Sequence, residues 1–450
     1  MGVLMKILII GAGLSGLAAA WRLHQAGHVV EVVERRDPAA PDCDFPPVQT
    51  LHSSDRYTLK WIGELGISDS LLPLRPVQLV QARRDRAYAI EPHRLLGVAA
   101  ISGVTRRDSL RLMRWSRLMT RYLPLLDPTA PELAASLDYR SVSDFAGLYF
   151  GKSALDYWVA PEVEDFFSGE ANQLSRVTAL LLWRARMMDP QGITFTGLPR
   201  MGMDHLFSAA RGLLPKRYHA AASGIEGSGK QGYSLTCEGA APDSLHADAV
   251  VLATSPGEAN RLAPSLLQPA ERDYLGAVRE RPSVTLTAEL ERVPGGMPER
   301  VRLPRGEGFS AGSIVFEPGL PGTRAGSGAG LATIQGRESF AVDARQVPDD
   351  AVIKSLLADL KLLYPALSGN VAKLHLARSE ASIPAFDVGA YRGLERFRRV
   401  QADRRALGRR LYFAGDYLVA PGVEGSVVSG FRAAADLIAD AAEGASEDRG

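Results

Sequence analysis

The chain has 450 residues, of which 46% are hydrophobic and 23% charged, a globular balance that excludes a disordered or fibrous chain and, at about 150 residues per domain, allows two or three domains. Lys and Arg number 52 against 51 Asp and Glu, and the formal charge of +1 gives no field to attract nucleic acid, so no nucleic-acid partner is expected. The two cysteines, Cys43 and Cys237, make neither a disulfide framework nor a four-ligand zinc site, and they suit a reducing compartment.

The apolar run at 6–10 predicts a buried parallel strand. It leads into glycines rather than a cleavage site, so no secretory leader is expected. Gly11 to Gly16 follow, then a helix predicted to residue 26 and a second strand at 29–33. Residues 35–47, with four prolines and three aspartates, predict a loop. The stretch 53–188 reads as mostly helical, and 200–214 as a helix between Pro199 and Pro215. A hairpin is predicted at 218–237 and a buried strand at 247–254. The segment 282–336 mixes β-rich runs with Gly/Pro loops. A helix is expected at 348–363, strands at 372–379 and 411–415, a final helix at 423–442 and a disordered tail from 444. The longest apolar candidate for a membrane span, 95–104, has half of the roughly 20 residues needed. A cytoplasmic location is therefore the expectation.

The spacing Gly11-Ala12-Gly13-Leu14-Ser15-Gly16 sits between strand and helix. The first glycine permits the tight turn, the second lets a pyrophosphate approach the backbone, and the third lets helix and strand pack closely. The helix start offers free N–H groups and the positive dipole end to phosphate. Glu34 stands 18 residues past Gly16 at the end of the second strand. A carboxylate there accepts hydrogen bonds from a ribose 2′-hydroxyl and disfavours a 2′-phosphate. A dinucleotide site follows, and NADP does not suit it. Near the other end, residues 411–434 read as strand, Gly415-Asp416 turn, loop and helix. Asp416 can bond ribityl hydroxyls, and the helix start around Gly425, Ser426 and Val427 can face the flavin edge that gains negative charge on reduction.

With these stretches in view, the chain resembles the FAD-dependent amine oxidase superfamily, and within it the protoporphyrinogen/coproporphyrinogen oxidase-like branch. The middle segment 141–175, with Tyr149-Phe150-Gly151 and Phe167-Ser168-Gly169, and the element Met201-Gly202-Met203 carry the resemblance further. It implies FAD as cofactor and an α/β fold, α+β overall: a Rossmann-type FAD-binding domain with a mixed-sheet substrate domain and a helical insertion. The implied divisions are 1–70, 196–260 and 386–442 for the FAD domain, 71–195 for the insertion, 261–385 for the substrate domain and 443–450 for the tail. Gly11, Ala12, Gly13, Leu14, Ser15, Gly16, Glu34, Arg35 and Arg36 would hold the ADP half, with Ala222 near the adenine. Gly415, Asp416, Gly425, Ser426 and Val427 would lie by the ribityl chain and ring. Tyr417, Pro384 and Phe386 are candidate pocket residues; no catalytic base is identified. The chain departs from the family where it reads Glu34-Arg35-Arg36-Asp37-Pro38 in place of an Arg followed by a glycine pair. That departure suggests weaker FAD binding or a more open pocket.

No Ser/His/Asp constellation assembles, and the eight histidines show no HxH or HExxH spacing, so no metal site is expected. A flavin supplies the hydride acceptor, and the protein positions a substrate carbon against it. The expected reaction is hydride removal from a bulky, largely apolar small molecule, best a porphyrinogen. The alternatives are desaturation or oxidation of a terpenoid or other secondary metabolite, amine oxidation, and a non-catalytic FAD-binding protein. Ten arginines fall within 83–121, offset by three acids. Residues 106–123 read as one basic amphipathic helix with three readings: peripheral contact with an anionic membrane, recognition of substrate carboxylates, or a core-packed helix with solvated arginines. The oligomeric state is not legible.

Overall fold

A computed structural model describes residues 4–36, 51–71, 75–76, 78–91, 94–188, 194–196, 203–214, 216–229, 231–239, 242–318, 329–404 and 406–447. The chain opens with β1 (Lys6–Ile10), α1 (Leu14–Gln25) and β2 (Val29–Glu34), then β3 (Leu51–His52) and α2 (Arg56–Glu64). Strands β4 (Arg75–Pro76), β5 (Leu79–Arg83) and β6 (Arg86–Ala89) precede a helical stretch. That stretch comprises α3 (Leu95–Ala99), α4 (Arg106–Arg111), α5 (Arg114–Tyr122), α6 (Val142–Tyr149), α7 (Lys152–Ala154), α8 (Ala160–Phe167) and α9 (Arg176–Met187). Then come β7 (Thr194–Thr196), α10 (Met203–Gly212), β8 (Arg217–Ser228), β9 (Gly232–Gly239), β10 (Ser244–Ala247), β11 (Ala249–Leu252), α11 (Pro256–Leu262) and α12 (Pro269–Ala277). The rest is β12 (Glu280–Leu290), β13 (Arg300–Arg302), β14 (Ala311–Pro318), β15 (Gly330–Gly336), α13 (Glu338–Asp343), α14 (Asp349–Leu363), β16 (Val371–Pro384), α15 (Ala390–Ala402), β17 (Leu411–Phe413) and α16 (Val423–Glu447).

Three sheets organise these elements. The first runs β10-β9-β8-β2-β1-β11-β17. Its β8, β2, β1, β11 and β17 are parallel neighbours, while β9 and β10 extend the edge as an antiparallel meander. The central strands are covered on both faces, and for that reason β1 and β11 read as unbroken apolar runs. The second sheet runs β16-β12-β15-β14-β13-β5-β6, and a small third sheet runs β3-β7-β4. On one face of the first sheet α1 meets α16 at backbone contact: a Cβ on Gly430 would fall 2.2 Å from the Ser15 carbonyl oxygen. The helices α3–α9 form a separate core around Phe145, Phe150, Trp158 and Trp183.

Several elements differ from the sequence reading. The span 53–188 contains β4, β5 and β6, and β5 joins the second sheet beside β13. The run Arg83-Arg84-Asp85-Arg86 hides that hairpin, since charge breaks the apolar alternation and Arg84 sits at φ 56° in the turn. The basic segment is two helices, α4 and α5, not one. Leu112, Leu118, Met119 and Tyr122 point into the core, which uses up the predicted apolar face. Strand β16 runs on to Pro384, five residues past the expected end, and α16 continues to Glu447, into the stretch expected to be disordered. Residues 37–50, with Cys43, and residues 200–202 lie outside the described residues. Cys237 is buried on β9.

The helical insertion is tied to α15 by one carboxylate. Asp138, fully buried, accepts from the backbone N–H groups of Gly389 (3.0 Å), Tyr391 (2.9 Å) and Arg392 (3.2 Å) and from the Ser175 hydroxyl (2.6 Å). It caps the start of α15 from 250 residues away in the chain. Removing it strands four donors, of which the Ser175 hydroxyl and the Tyr391 N–H belong to buried residues and cost on the order of 1–3 kcal/mol each. Asp138→Ala is expected to lower unfolding free energy by roughly 3 kcal/mol or more, read by denaturant titration; Asp138→Asn retains part of the cap and loses less.

Candidate functional site

The three glycines of the first turn have separable roles. Gly11 lies at φ +104°, and a Cβ there would fall 2.3 Å from the Ala253 carbonyl oxygen. At Gly16 it would fall 2.0 Å from the Gly11 carbonyl oxygen. At Gly13 it would meet nothing within 4 Å, so this glycine faces space that a pyrophosphate can enter. Helix α1 begins without a side-chain cap and without an acid in its first turn. Its first N–H groups, on Leu14, Ser15 and Gly16, are the orphan donors an anion takes. The Glu34 carboxylate ends β2 and accepts from Ala12 N (2.6 Å) and Arg36 N (2.8 Å). Strand β8 pairs with β2 at Glu34 and His219, and Ala222 lies three residues further along. The Arg35 carbonyl meets His219 Nε2 at 3.0 Å. Ala12, Glu34, Arg35 and Arg36 thus gather just past the C-terminal ends of β1 and β2, beside β8, the strand that carries Ala222.

The second half of the site is the turn between β17 and α16. Gly415 N donates to Ser429 Oγ at 2.9 Å. A Cβ on Gly415 would lie 2.1 Å from the Tyr417 ring, which folds back against it. The Asp416 carboxyl accepts from the backbone N–H groups of Gly422 and Tyr417, yet burial, the largest effect, pushes it up to about 7, with the Glu280 carboxylate adding to the rise. It is therefore partly protonated near neutrality, able to donate to a hydroxyl as well as accept from one. At Gly425 a Cβ would fall 1.8 Å from the Ala420 carbonyl oxygen. The Ser426 hydroxyl donates to the Gly422 carbonyl at 2.9 Å, and Val427 is fully buried. The side-chain sides of Gly425, Ser426 and Val427 therefore serve the packing of α16.

The candidate pocket residues separate. Tyr417 is 3% exposed, and its carbonyl accepts from the Tyr274 hydroxyl at 2.6 Å. Its own hydroxyl is buried without a hydrogen-bond partner among the described residues. Pro384 pairs with Glu280 at the end of β16, which keeps it on the Asp416 side. Phe386 lies in the core of the helical insertion, 6.0 Å from the Phe167 ring and 5.4 Å from the Tyr391 ring. Two residues that pattern reading missed stand here. Glu280 faces Asp416. Glu424, in the first turn of α16, accepts from Tyr57 N (3.0 Å), Thr58 N (2.9 Å) and Thr58 Oγ1 (2.6 Å). An acid in a helix's first turn is a visible signal, but its partners are 366 residues away.

Two helices, α1 and α16, start just after strands of one parallel sheet, beside a mixed sheet with a helical insertion. Residues 48–438 match the profile of the flavin-containing amine oxidoreductases, and residues 9–52 match an NAD(P)-binding Rossmann-like domain. The chain belongs to the flavin-containing amine oxidoreductase family and is an FAD-dependent oxidoreductase. Similar solved structures include a protein from Exiguobacterium sp. 255-15 assigned as a protoporphyrinogen oxidase, with TM-score 0.72 and 15% identity over 98% of this chain and 100% of that one. Cyclohexylamine oxidase from Brevibacterium oxydans IH-35A aligns with TM-score 0.73 and 16% identity over 97% and 99%. These are likenesses of fold. Among curated relatives, the D-amino acid dehydrogenase of Neisseria meningitidis serogroup C (strain 053442) is 40% identical over 57 residues, only 13% of either chain.

The glycine geometry sets a contrast. Gly13→Val is expected to change the stability of the flavin-free protein by less than about 1 kcal/mol, because its side chain enters open space. It should nonetheless prevent flavin from co-purifying. Gly16→Ala drives a methyl into a carbonyl and is expected to cost on the order of 3 kcal/mol whether or not flavin is present. Thermal melts and flavin absorbance of the two variants check this.

Proposed function

We propose that this chain removes hydride from a large, mostly apolar small molecule, and that a porphyrinogen, oxidised to the porphyrin, is the substrate class that fits best. The observation that carries this is the turn before α16. Amine oxidases often place an aromatic cage residue there, whereas Leu418 and Val419 are buried here and the Tyr417 ring is folded under Gly415. Among the described residues of the 418–423 turn, a simple amine finds no ring to sit against. When bound, the flavin supplies the hydride acceptor, and oxygen or another acceptor takes the electrons on. In this reading Gly11, Ala12, Gly13, Leu14, Ser15, Gly16, Glu34, Arg35, Arg36 and Ala222 hold the ADP half. Gly415, Asp416, Gly425, Ser426 and Val427 hold the ribityl and ring half, and Asp416 exchanges hydrogen bonds with the ribityl chain. The domain divisions given from the sequence are part of the same proposal, with substrate between the FAD domain, the mixed sheet and the helical insertion.

The test is the visible spectrum before and after anaerobic addition of coproporphyrinogen and, separately, protoporphyrinogen. Bleaching of the flavin bands, with porphyrin fluorescence appearing, is expected. A flavin spectrum unmoved by both overturns the porphyrinogen reading and leaves terpenoid and amine substrates.

One observation favours peripheral membrane contact as an additional proposal. Among the described residues no helix is long and apolar enough to cross a membrane. In the segment 94–114, however, Leu96, Leu110 and Met113 are 87%, 72% and 77% exposed, between the exposed Arg94, Arg106, Arg107 and Arg114. Apolar tips set among cations suit an anionic lipid surface. Co-flotation with phosphatidylglycerol vesicles, lost in Leu110→Asp/Met113→Asp and at high salt, is the expected result. Equal flotation of wild type and variant would overturn it.

A further inference from the structure

The helical insertion meets the mixed sheet through charge. On α8, Glu162, Asp165 and Phe166 are spaced i, i+3, i+4 and share one face; on α9, Trp183, Arg186 and Met187 do the same. Trp183 Nε1 donates to Glu162 Oε2 at 3.1 Å, and Arg186 pairs with Glu162, so these two faces meet. On β13, Arg300 and Arg302 point to the same side, opposite the fully buried Val301. Arg300 pairs with Asp165 at 2.6 Å, and Arg302 reaches Asp165 at 3.5 Å and Glu162 at 3.6 Å. Among the described residues this cluster sets three guanidiniums against two carboxylates.

A surplus cation held inside a protein is costly unless something anionic joins it. Burial lowers the Arg302 guanidinium to about 10 and depresses Arg186 strongly, with Arg302 adding to the second effect. The cluster is not sealed. The Arg186 and Arg300 side chains remain 18% and 19% exposed, while Phe166 and Met187, on the same two helix faces, are 39% and 45% exposed. Apolar surface and guanidinium are thus presented side by side. His52 links this wall to the flavin end. It lies near Arg300 and Arg186, and burial followed by those two cations lowers its imidazole to about 4. Its backbone N–H donates to Asp55 (2.7 Å), the residue that precedes α2, and Glu424 at the start of α16 caps that same helix.

We propose that Arg186, Arg300 and Arg302 form a carboxylate-binding subsite on the wall between the helical insertion and the mixed sheet. The substrate is then an amphiphile, with an apolar body against Phe166 and Met187 and at least one carboxylate on the guanidiniums. This rests on the proposed oxidation of a bulky apolar substrate and narrows its class. It favours a carboxylated ring system over an uncharged polyprene, for which a cationic wall is a penalty. Guanidinium is suited to the task because its planar fork meets a carboxylate in two hydrogen bonds.

The test uses a matched pair of probes on the flavin-loaded protein, 1-naphthoate and 1-naphthamide, titrated by calorimetry. Naphthoate is expected to bind at least tenfold more tightly than the amide. In Arg186→Gln and in Arg300→Gln that preference should vanish, a loss on the order of ten- to a hundredfold for the acid alone, while Arg186→Lys keeps part of it. Flavin content and circular dichroism identify any variant that fails to fold, and the two glutamine variants are independent of each other. Equal binding of acid and amide to the wild type, or an undiminished preference in both folded variants, overturns the subsite. If naphthoate shows the expected preference while no porphyrinogen bleaches the flavin, the subsite stands and only the porphyrinogen reading falls.

Discussion

The approach of α16 to α1 at backbone distance is the constraint on which the rest depends. Gly430 has no side chain, and none would fit against the Ser15 carbonyl. Because the helices touch there, the first turn of α1 and the first turn of α16 belong to one packed layer, with Leu17, Ala18, Val427 and Phe431 in a common core. The spacing between the two helix starts is therefore held by a contact that lies outside both of them. β17 follows the same logic, lying beside β11, which lies beside β1.

Around this frame, peripheral segments are fastened by buried or half-buried carboxylates that accept backbone N–H groups or, at Glu271, a guanidinium. Asp138 fastens the insertion to α15, and Glu424 fastens α2 to α16. Glu271, fully buried, accepts from Arg409 at 2.8 Å on the way to β17. Each supplies a short helix or loop with partners that its own sequence lacks. The Arg186–Arg300–Arg302 cluster differs in kind, since among the described residues its cations outnumber its anions and two of its side chains keep contact with solvent.

Much of the frame was legible because its signals are local. The Gly11, Gly13 and Gly16 spacing is local, and a Cβ would strike backbone at Gly11 and Gly16 but meet nothing within 4 Å at Gly13. The unbroken apolar runs of β1 and β11 announced strands covered on both faces. The hairpin of β8 and β9 was legible from the glycines at its turn. What was hidden is hidden for a physical reason. β5 and β6 end in a turn of arginines, so their alternation is broken where a strand would be recognised. The face of α5 was read correctly as amphipathic, but periodicity does not say whether an apolar stripe faces a core or a membrane. Glu280 against Asp416 and Glu424 against Thr58 are encounters between distant segments, and no window of sequence contains both partners.

The order of strands in the first sheet has a consequence for synthesis. β11 is synthesised about 240 residues after β1, and β17 about 400 residues after it. At roughly 5–20 residues per second, the nascent chain holds its most apolar strand without its full set of neighbours for on the order of tens of seconds. Once β11 has docked, its outer edge, Ala249–Leu252, stays open until Leu411–Phe413 is made, and an open apolar edge invites pairing with other chains. Contacts of such long sequence separation also slow folding itself. The same arrangement that brings distant segments side by side in one sheet leaves its apolar edges without their partners until β17 has been made.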